Sequence, residues 1–521
     1  MNSISVDLAI VGSGSGNSLV TPFWDDKRVA IAEHGVFGGT CLNVGCIPTK
    51  MYVRPAALAS STAEAARLGV DLRFEGADWR GIRDRIFSRI DAISEAGERY
   101  RAEELDNVEL VRSRVRLDGQ RALVVDGAAS EAGSGEGAVT RVEAEQLVIA
   151  AGSRAVLPDI PGIDLPGVHT SDTVMRIDEL PRRVVVIGGG YIACEFAAVF
   201  SGLGSEVVQV VRGDTLLRRL DVEISECFTA EAAKRWDLRL GCSVAEISED
   251  GAGGLLAELV RSDAGTGSDS GSDSGSDSVT CSGSGTGSDS ESGSGSGSRE
   301  GDDGPLRADI VLVATGRRPN SDLVGAAEAG FDLHDDGRIA VDEYQRVLSG
   351  GQPVDGVYAL GDVCSPFQLK HVANHEARVV AHNLEHPDDL RRSRHEAVPA
   401  AVFSDPELAQ VGLTEAEAVE SIGAEHVTVK VQRYGDTAYG WAMEDRTGVF
   451  KAIADRRDGR ILGAHAMGYQ ASNLVQVVVM AMSFGIDAHT AARGQYWIHP
   501  ALMEVVENAL LGLETPAGDV L

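Results

Sequence analysis

Two cysteines raise the first chemical question. In GGTCLNVGCIPTK (38–50), Cys41 and Cys46 stand five positions apart among glycines, with Pro48 and Lys50 just behind. Thiols so placed could form a structural crosslink, serve a metal or act as a redox pair. Five residues of extended chain span about 16 Å, and in a regular helix they rise about 7.5 Å, both beyond disulfide reach. A bond between them needs a distorted turn, which Gly45 permits; Pro48 removes a backbone donor where a regular helix would need it. Such a bond closes a tiny loop and stabilises little. Zinc usually takes C-x2-4-C plus two further ligands, and no second such cluster exists. The pair reads as a redox dithiol.

A redox dithiol needs an electron source, and the flanking sequence supplies candidates. VDLAIVGSGSGNS predicts a strand over 6–11, a glycine turn over 12–16 carrying Gly12, Gly14 and Gly16, and the start of a helix. The next strand, 28–33, ends in Glu33, where an acid would meet a ribose hydroxyl. The third fingerprint position is Asn17 rather than glycine. RRVVVIGGGYIACEFAAVF is a second copy, with Gly188, Gly190 and Ala193 in the fingerprint positions. Its following strand, 205–211, ends without an acid and leads into RGDTLLRR. Arg212 and Arg218 there suit the 2′-phosphate of NADP better than the free hydroxyl of NAD.

With two dinucleotide sites and a dithiol beside the first, the chain resembles the FAD-dependent pyridine nucleotide–disulfide oxidoreductases, the family of glutathione reductase and lipoamide dehydrogenase. LVIAAGSRAVLP (147–158), DIVLVATGRRPN (309–320), GVYALGDVC (356–364) and YWIHPALMEVVENALLGL (496–513) carry the resemblance nearly end to end. GSGSGNS in place of a glycine-proline turn, LKHVANHEARVV (369–380) and YGDTAYGWAMED (434–445) point to a branch that reduces a low-molecular-weight disulfide. Dihydrolipoamide dehydrogenase is the alternative, but Val211 stands where its acid is expected. No cysteine follows Cys364, which disfavours mercuric and large thioredoxin reductases.

The resemblance implies an α/β fold with two Rossmann-like domains and a C-terminal α+β dimerisation domain. It implies FAD held by Gly12, Gly14, Gly16, Glu33, Gly39, Thr40, Lys50, Gly152 and Asp362. It implies NADPH held by Gly188, Gly190, Tyr191, Arg212, Arg218 and Gly316. Cys41 would attack the substrate disulfide, Cys46 would face the flavin as a thiolate, and Lys50 would pair with Glu195. His499 with Glu504 would act as acid/base on the other subunit's dithiol, making the enzyme a homodimer with shared active sites. Cys194, Cys227, Cys242 and Cys364 read as small packed residues.

Composition agrees with an enzyme of this kind. The 521 residues exceed a single core, and the net charge of −32 argues against nucleic acid or anionic membrane as general partners. Seven cysteines, no basic leader and no apolar run near a membrane span imply a reducing cytoplasm. Residues 1–153 are expected to carry FAD and 154–316 NADP, with 317–394 returning to the FAD side and 395–521 forming the interface domain. Residues 262–298, almost all Gly, Ser and Asp, cannot bury a core and are expected to expand a hairpin loop, leaving Cys281 exposed.

Overall fold

Runs such as VDLAIV and QLVI are short and apolar on both faces, the pattern of a strand covered on both sides. In the computed structural model, which describes residues 2–126, 139–261 and 304–517, these runs form the centre of a parallel sheet. Asn2–Val11 lies between Val29–Ala32 and Val139–Ile149, with Leu8 opposite both Val29 and Gln146. Gln352–Ala359 adds to the far side of Val139–Ile149, so the chain returns to this sheet after building a second one. In that second sheet, Arg183–Ile187 is flanked in parallel by Glu206–Val211 and Ile310–Val313. A third, antiparallel sheet spans Pro399 to Met467 and is covered by the helices Ala471–Ser483 and Glu504–Leu511.

One expectation needs correction. The first glycine turn leads into no α-helix: the crossover to Val29–Ala32 contains only the 3₁₀ turns Gly16–Leu19 and Pro22–Trp24. Ser18 turns its hydroxyl back to the Ser15 carbonyl at 2.7 Å, and Pro22 lacks the N–H that a continuing helix would use. The second glycine turn does lead into a 12-residue helix, Tyr191–Gly202.

Residues 306–313 hold two short strands in different sheets. Leu306–Ala308 pairs antiparallel with Leu255–Arg261, then Ile310–Val313 joins the parallel sheet. Asp309 forms the corner, its carboxylate accepting from the Arg183 backbone N–H at 2.8 Å and guanidinium at 2.9 Å. Leu255–Arg261 and Leu306–Ala308 thus make the hairpin expected around the low-complexity insertion. The insertion itself, with Cys281, lies outside the described residues.

A buried charge cluster ties the second and third sheets together. Lys451, 4% exposed, meets Asp221 at 2.9 Å, Glu415 at 2.7 Å and Glu223 at 3.3 Å. Asp221 also accepts from the Glu415 backbone N–H at 3.1 Å. The ammonium holds the Asp221 carboxyl below its ordinary pKa despite burial, and the Glu415 and Asp221 carboxylates raise that of Lys451 against the same burial.

Candidate active site

Cys41 sits on the short helix Gly39–Asn43, and Cys46 opens the helix Cys46–Ser60. The break between them is Val44–Gly45. A side chain on Gly45 would lie 2.8 Å from the Thr40 carbonyl, so only glycine lets the second helix start this close to the first. Pro48 falls in the first turn of the second helix, where backbone N–H groups have no helical partner, and it interrupts nothing.

Both sulfurs are free thiols here, and they interact. The Cys41 thiol donates to Cys46, which raises the pKa of Cys41 and lowers that of Cys46 to about 7. Lys50, one turn further along the helix, lowers Cys46 as well, against the opposing effects of burial and Glu195. Lys50 is itself fixed. Its Nζ meets the two carboxylate oxygens of Glu195 at 2.7 and 2.8 Å, and Glu195 also accepts from the Phe403 backbone N–H at 2.9 Å. Glu195 lies buried on Tyr191–Gly202, so this pair joins the dithiol helix to the helix that follows the second glycine turn.

The dithiol forms part of the wall of a cavity of about 750 Å³. Gly12, Gly14, Glu33, Gly39, Thr40, Gly152 and Asp362 line it as well, whereas Gly16 lies buried beneath the turn. Glu33 follows Val29–Ala32, and its carboxylate accepts from Ser13 N–H at 3.0 Å, Ser13 Oγ at 2.7 Å and Gly35 N–H at 2.8 Å. Ser153 Oγ donates to Asp362 at 2.6 Å and accepts from Arg317 Nε at 2.9 Å. A side chain on Gly39 would lie 2.6 Å from the Gly14 Cα, so two glycine backbones meet across the cavity wall. Bare backbone, an acid at a strand end and a long cleft fit a dinucleotide whose ribose and phosphates approach the main chain.

Tyr191 lines this cavity and also a small adjacent pocket with Leu220, Val402 and Leu408, placing its ring between the two. Burial raises the Tyr191 phenol pKa, while the charge of Arg219 opposes the rise. Gly188 and Gly190 form the second turn ahead of that helix, and Arg212 and Arg218 are exposed beyond the strand ending at Val211. Gly316 joins that sheet to the short strand Arg317–Pro319, its carbonyl accepting from Val156 N–H at 3.0 Å.

His499 and Glu504 are brought together, with Nδ1 of the imidazole bonded to a Glu504 carboxylate oxygen. The residues lining the dithiol cavity do not include His499 of the same chain. Its ring is 70% exposed, beside Tyr496 at 103% and Ile498 at 78%. Of the remaining cysteines, Cys194, Cys227 and Cys364 are buried and Cys242 is half-buried.

Several cavity groups escape a reading by motif. Ser13, Ser153 and Arg317 act through tertiary hydrogen bonds that no spacing announces. Lys370 lies in a segment recognisable only as a family-like string, yet it lines the cavity and donates to Ser15 Oγ at 2.8 Å. Glu376, buried one turn and a half further along the same helix, accepts from the Gly361 N–H at 2.7 Å and holds the turn that presents Asp362.

Comparison with known proteins agrees with this geometry. A family model described as pyridine nucleotide-disulphide oxidoreductase matches residues 6–377, and the dimerisation domain of the same family matches 398–510. Mycothione reductase of Mycobacterium tuberculosis is 48% identical over 97% of this chain and 99% of its own length. Glutathione reductase of Burkholderia cepacia is 31% identical over 92% of this chain and 93% of its own. Dihydrolipoyl dehydrogenase of Haloferax volcanii is 30% identical over 97% and 96% respectively. The HOCl-induced flavoprotein disulfide reductase RclA from Escherichia coli, 24% identical, shares the fold at a TM-score of 0.75 over 97% of this chain and 99% of its own. Among the described residues, no helix is long and apolar enough to cross a membrane. The chain belongs to the pyridine nucleotide-disulphide oxidoreductase family, as a disulfide oxidoreductase whose cofactors are FAD and NADPH.

Proposed function

We propose that this enzyme reduces a low-molecular-weight disulfide, mycothione, at the Cys41–Cys46 dithiol, using electrons from NADPH in a reducing cytoplasm. The observation that carries the reading is the unequal pair of sulfurs: Cys46, at a helix start beside Lys50, holds the negative charge, and Cys41 holds the proton. Support for mycothione comes from identity, 48% to the mycobacterial mycothione reductase against 31% and 30% to the glutathione and lipoamide enzymes above. Bound FAD would supply the two-electron relay between nicotinamide and dithiol. Gly12, Gly14, Gly39, Thr40 and Gly152 would lie along it, with Gly16 supporting the turn from beneath, Glu33 on the ribose hydroxyls, Asp362 on the ribityl chain and Lys50 near the ring. Gly188, Gly190 and Gly316 would receive NADPH, Arg212 and Arg218 its 2′-phosphate, and Tyr191 would cover the nicotinamide pocket.

On the substrate side, Cys41 Sγ attacks one sulfur of the disulfide, forming a mixed disulfide and releasing one thiolate. His499 of the partner subunit, oriented by Glu504 of the partner subunit, takes the Cys41 proton as the sulfur attacks and passes it to that thiolate. Cys46 then attacks Cys41 Sγ, closing the Cys41–Cys46 disulfide and releasing the second product as a thiolate, which takes its proton from solvent. The exposed His499 ring, flanked by bare Tyr496 and Ile498, supports delivery across a homodimer interface.

The test joins a substrate panel to two variants. Mycothione should be turned over with NADPH well ahead of glutathione disulfide and lipoamide; preference for either of those would overturn the assignment. Two-electron-reduced enzyme should show a long-wavelength band from the Cys46 thiolate against the flavin, and Cys46→Ser should lose band and turnover together. Cys41→Ser should keep the band while losing turnover. Because the Cys46 pKa is lowered to about 7, the band should be full at pH 9 and fade as pH falls through 7. A Cys46→Ser enzyme with normal turnover would falsify the dithiol mechanism.

A further inference from the structure

The first glycine turn lacks the helix that its counterpart owns. An α-helix presents roughly half a positive charge at its N-terminus, and that charge is what a dinucleotide's diphosphate ordinarily meets. From Gly16 the chain makes only two short 3₁₀ turns, of four and three residues, too short to build such a dipole. The diphosphate of the first dinucleotide therefore needs another source of positive charge.

The fold brings one in from 355 residues away. Lys370 is the first residue of the helix Lys370–Glu385, and its Nζ donates to Ser15 Oγ, in the middle of the glycine turn, at 2.8 Å. Lys370 and Ser15 both line the cavity, together with Gly14, Thr40 and Cys41. Gln368, also on the cavity wall, adopts φ +51°, an unfavourable conformation for a non-glycine residue, just ahead of this helix. The hydrogen bond of Lys370 goes to a hydroxyl, not to a carboxylate, so it leaves the ammonium's charge unneutralised. That contrasts with Lys50 in the same cavity, which is paired with Glu195.

The back of the turn repeats the pattern. Arg101, in the π-helical segment Tyr100–Glu104, donates from Nε to Asn17 Oδ1 at 2.8 Å and from Nη2 to the Asn17 carbonyl at 3.2 Å. Asn17 occupies the position of the missing third glycine, and both bonds again go to neutral acceptors. Burial lowers the Arg101 pKa, as expected for a half-buried cation with no carboxylate partner among the described residues.

We propose that Lys370 is a cofactor-binding residue whose ammonium contacts the diphosphate bridge of the first dinucleotide, supplying the charge that the absent helix would provide. Arg101 is a positioning residue that holds the turn through Asn17. The inference rests on the reading that FAD occupies this cavity.

The test separates phosphate recognition from ring recognition. FAD and riboflavin, which has no phosphate, are titrated into flavin-stripped full-length chain, following flavin fluorescence, and FAD release is timed from the intact holoenzyme. Losing one charged contact to an anion corresponds to roughly a 10- to 150-fold loss of affinity. Lys370→Gln should weaken FAD by that factor, hasten its release and leave riboflavin affinity within about twofold of wild type. Lys370→Arg, which keeps the charge, should stay near wild type. Equal weakening of FAD and riboflavin by Lys370→Gln, no weakening of either, or an arginine variant as weak as the glutamine one would each overturn the assignment. A wild-type chain that binds no flavin would overturn the reading beneath it as well.

Discussion

The two glycine turns begin alike and then diverge. Gly12 and Gly188 both adopt left-handed φ, +101° and +135°, and each presses on a carbonyl from the neighbouring strand's end. A side chain would lie 2.4 Å from the Ala150 oxygen at Gly12 and 2.3 Å from the Ala314 oxygen at Gly188. That constraint belongs to the fold, because a strand must turn sharply over its parallel neighbour. Everything after it is open to change. The first turn continues as a 3₁₀ crossover, ends its next strand in Glu33 and draws a lysine from a distant helix. The second continues as a 12-residue helix, ends its next strand in Val211 and leaves Arg212 and Arg218 exposed. In the proposed reading, negative charge at one strand end and positive charge at the other would give the two sites opposite preferences. A ribose hydroxyl would suit the first and a 2′-phosphate the second.

The largest effect should come from separating the two sites by their half-reactions. His499→Ala removes an acid/base, which typically costs 10²–10⁴-fold. The loss should fall on disulfide reduction at the first site, with flavin reduction by NADPH at the second nearly normal, as stopped-flow absorbance would show. Mixed with Cys41→Ser subunits, His499→Ala subunits should recover about half of wild-type activity per heterodimer, since one of its two sites carries neither defect. Proven heterodimers without recovery would place His499 on its own subunit's dithiol, or on none.

A smaller effect sharpens the second site. Each charged contact to the 2′-phosphate corresponds to roughly 10- to 150-fold in affinity. The double variant Arg212→Ala, Arg218→Ala should lose NADPH use by at least the lower of these factors while its kcat/KM for NADH changes little. Equal losses with both nucleotides would make the arginines structural, and the contrast in charge between the two strand ends would no longer explain cofactor choice.

The parts of this molecule legible in its sequence are those fixed by local chemistry. A thiol pair around Gly45, strands apolar on both faces and a turn that only glycine can make all declare themselves within a few residues. The parts that escaped depend on distant chain. Whether NSLVTPFW becomes a helix is decided by the Ser18 hydroxyl, Pro22 and an anchoring bond from Thr21 to Glu385, 364 residues on. The split at Asp309 depends on Arg183 receiving its carboxylate. Lys370 looks like an ordinary helix-start lysine until the fold sets it against Ser15. A motif search finds Gly12 and Gly188 because their role is steric and local; it misses Lys370 because charge can arrive from anywhere.

The smallest effect concerns the insertion, which falls in the second nucleotide unit. Its flanks, Leu255–Arg261 and Leu306–Ala308, pair in register, Leu255 with Ala308 and Ala257 with Leu306. That ladder, together with the buried Leu255, Ala257 and Ala308, holds the hairpin whatever the length of the connection. Replacing residues 263–298 with a four-residue Gly-Ser turn shortens the connection between the strands by about two halvings, worth roughly 1 kcal/mol of closure entropy in favour of the folded state. The shortened chain should therefore unfold at an equal or slightly higher denaturant concentration, with flavin content and NADPH-dependent turnover unchanged. Arg212, Arg218 and Tyr191 lie on elements outside this hairpin, so the preference for NADPH over NADH should also persist. A drop in that preference would mean that the insertion takes part in nucleotide selection, and that the second site's charge is not set by its arginines alone.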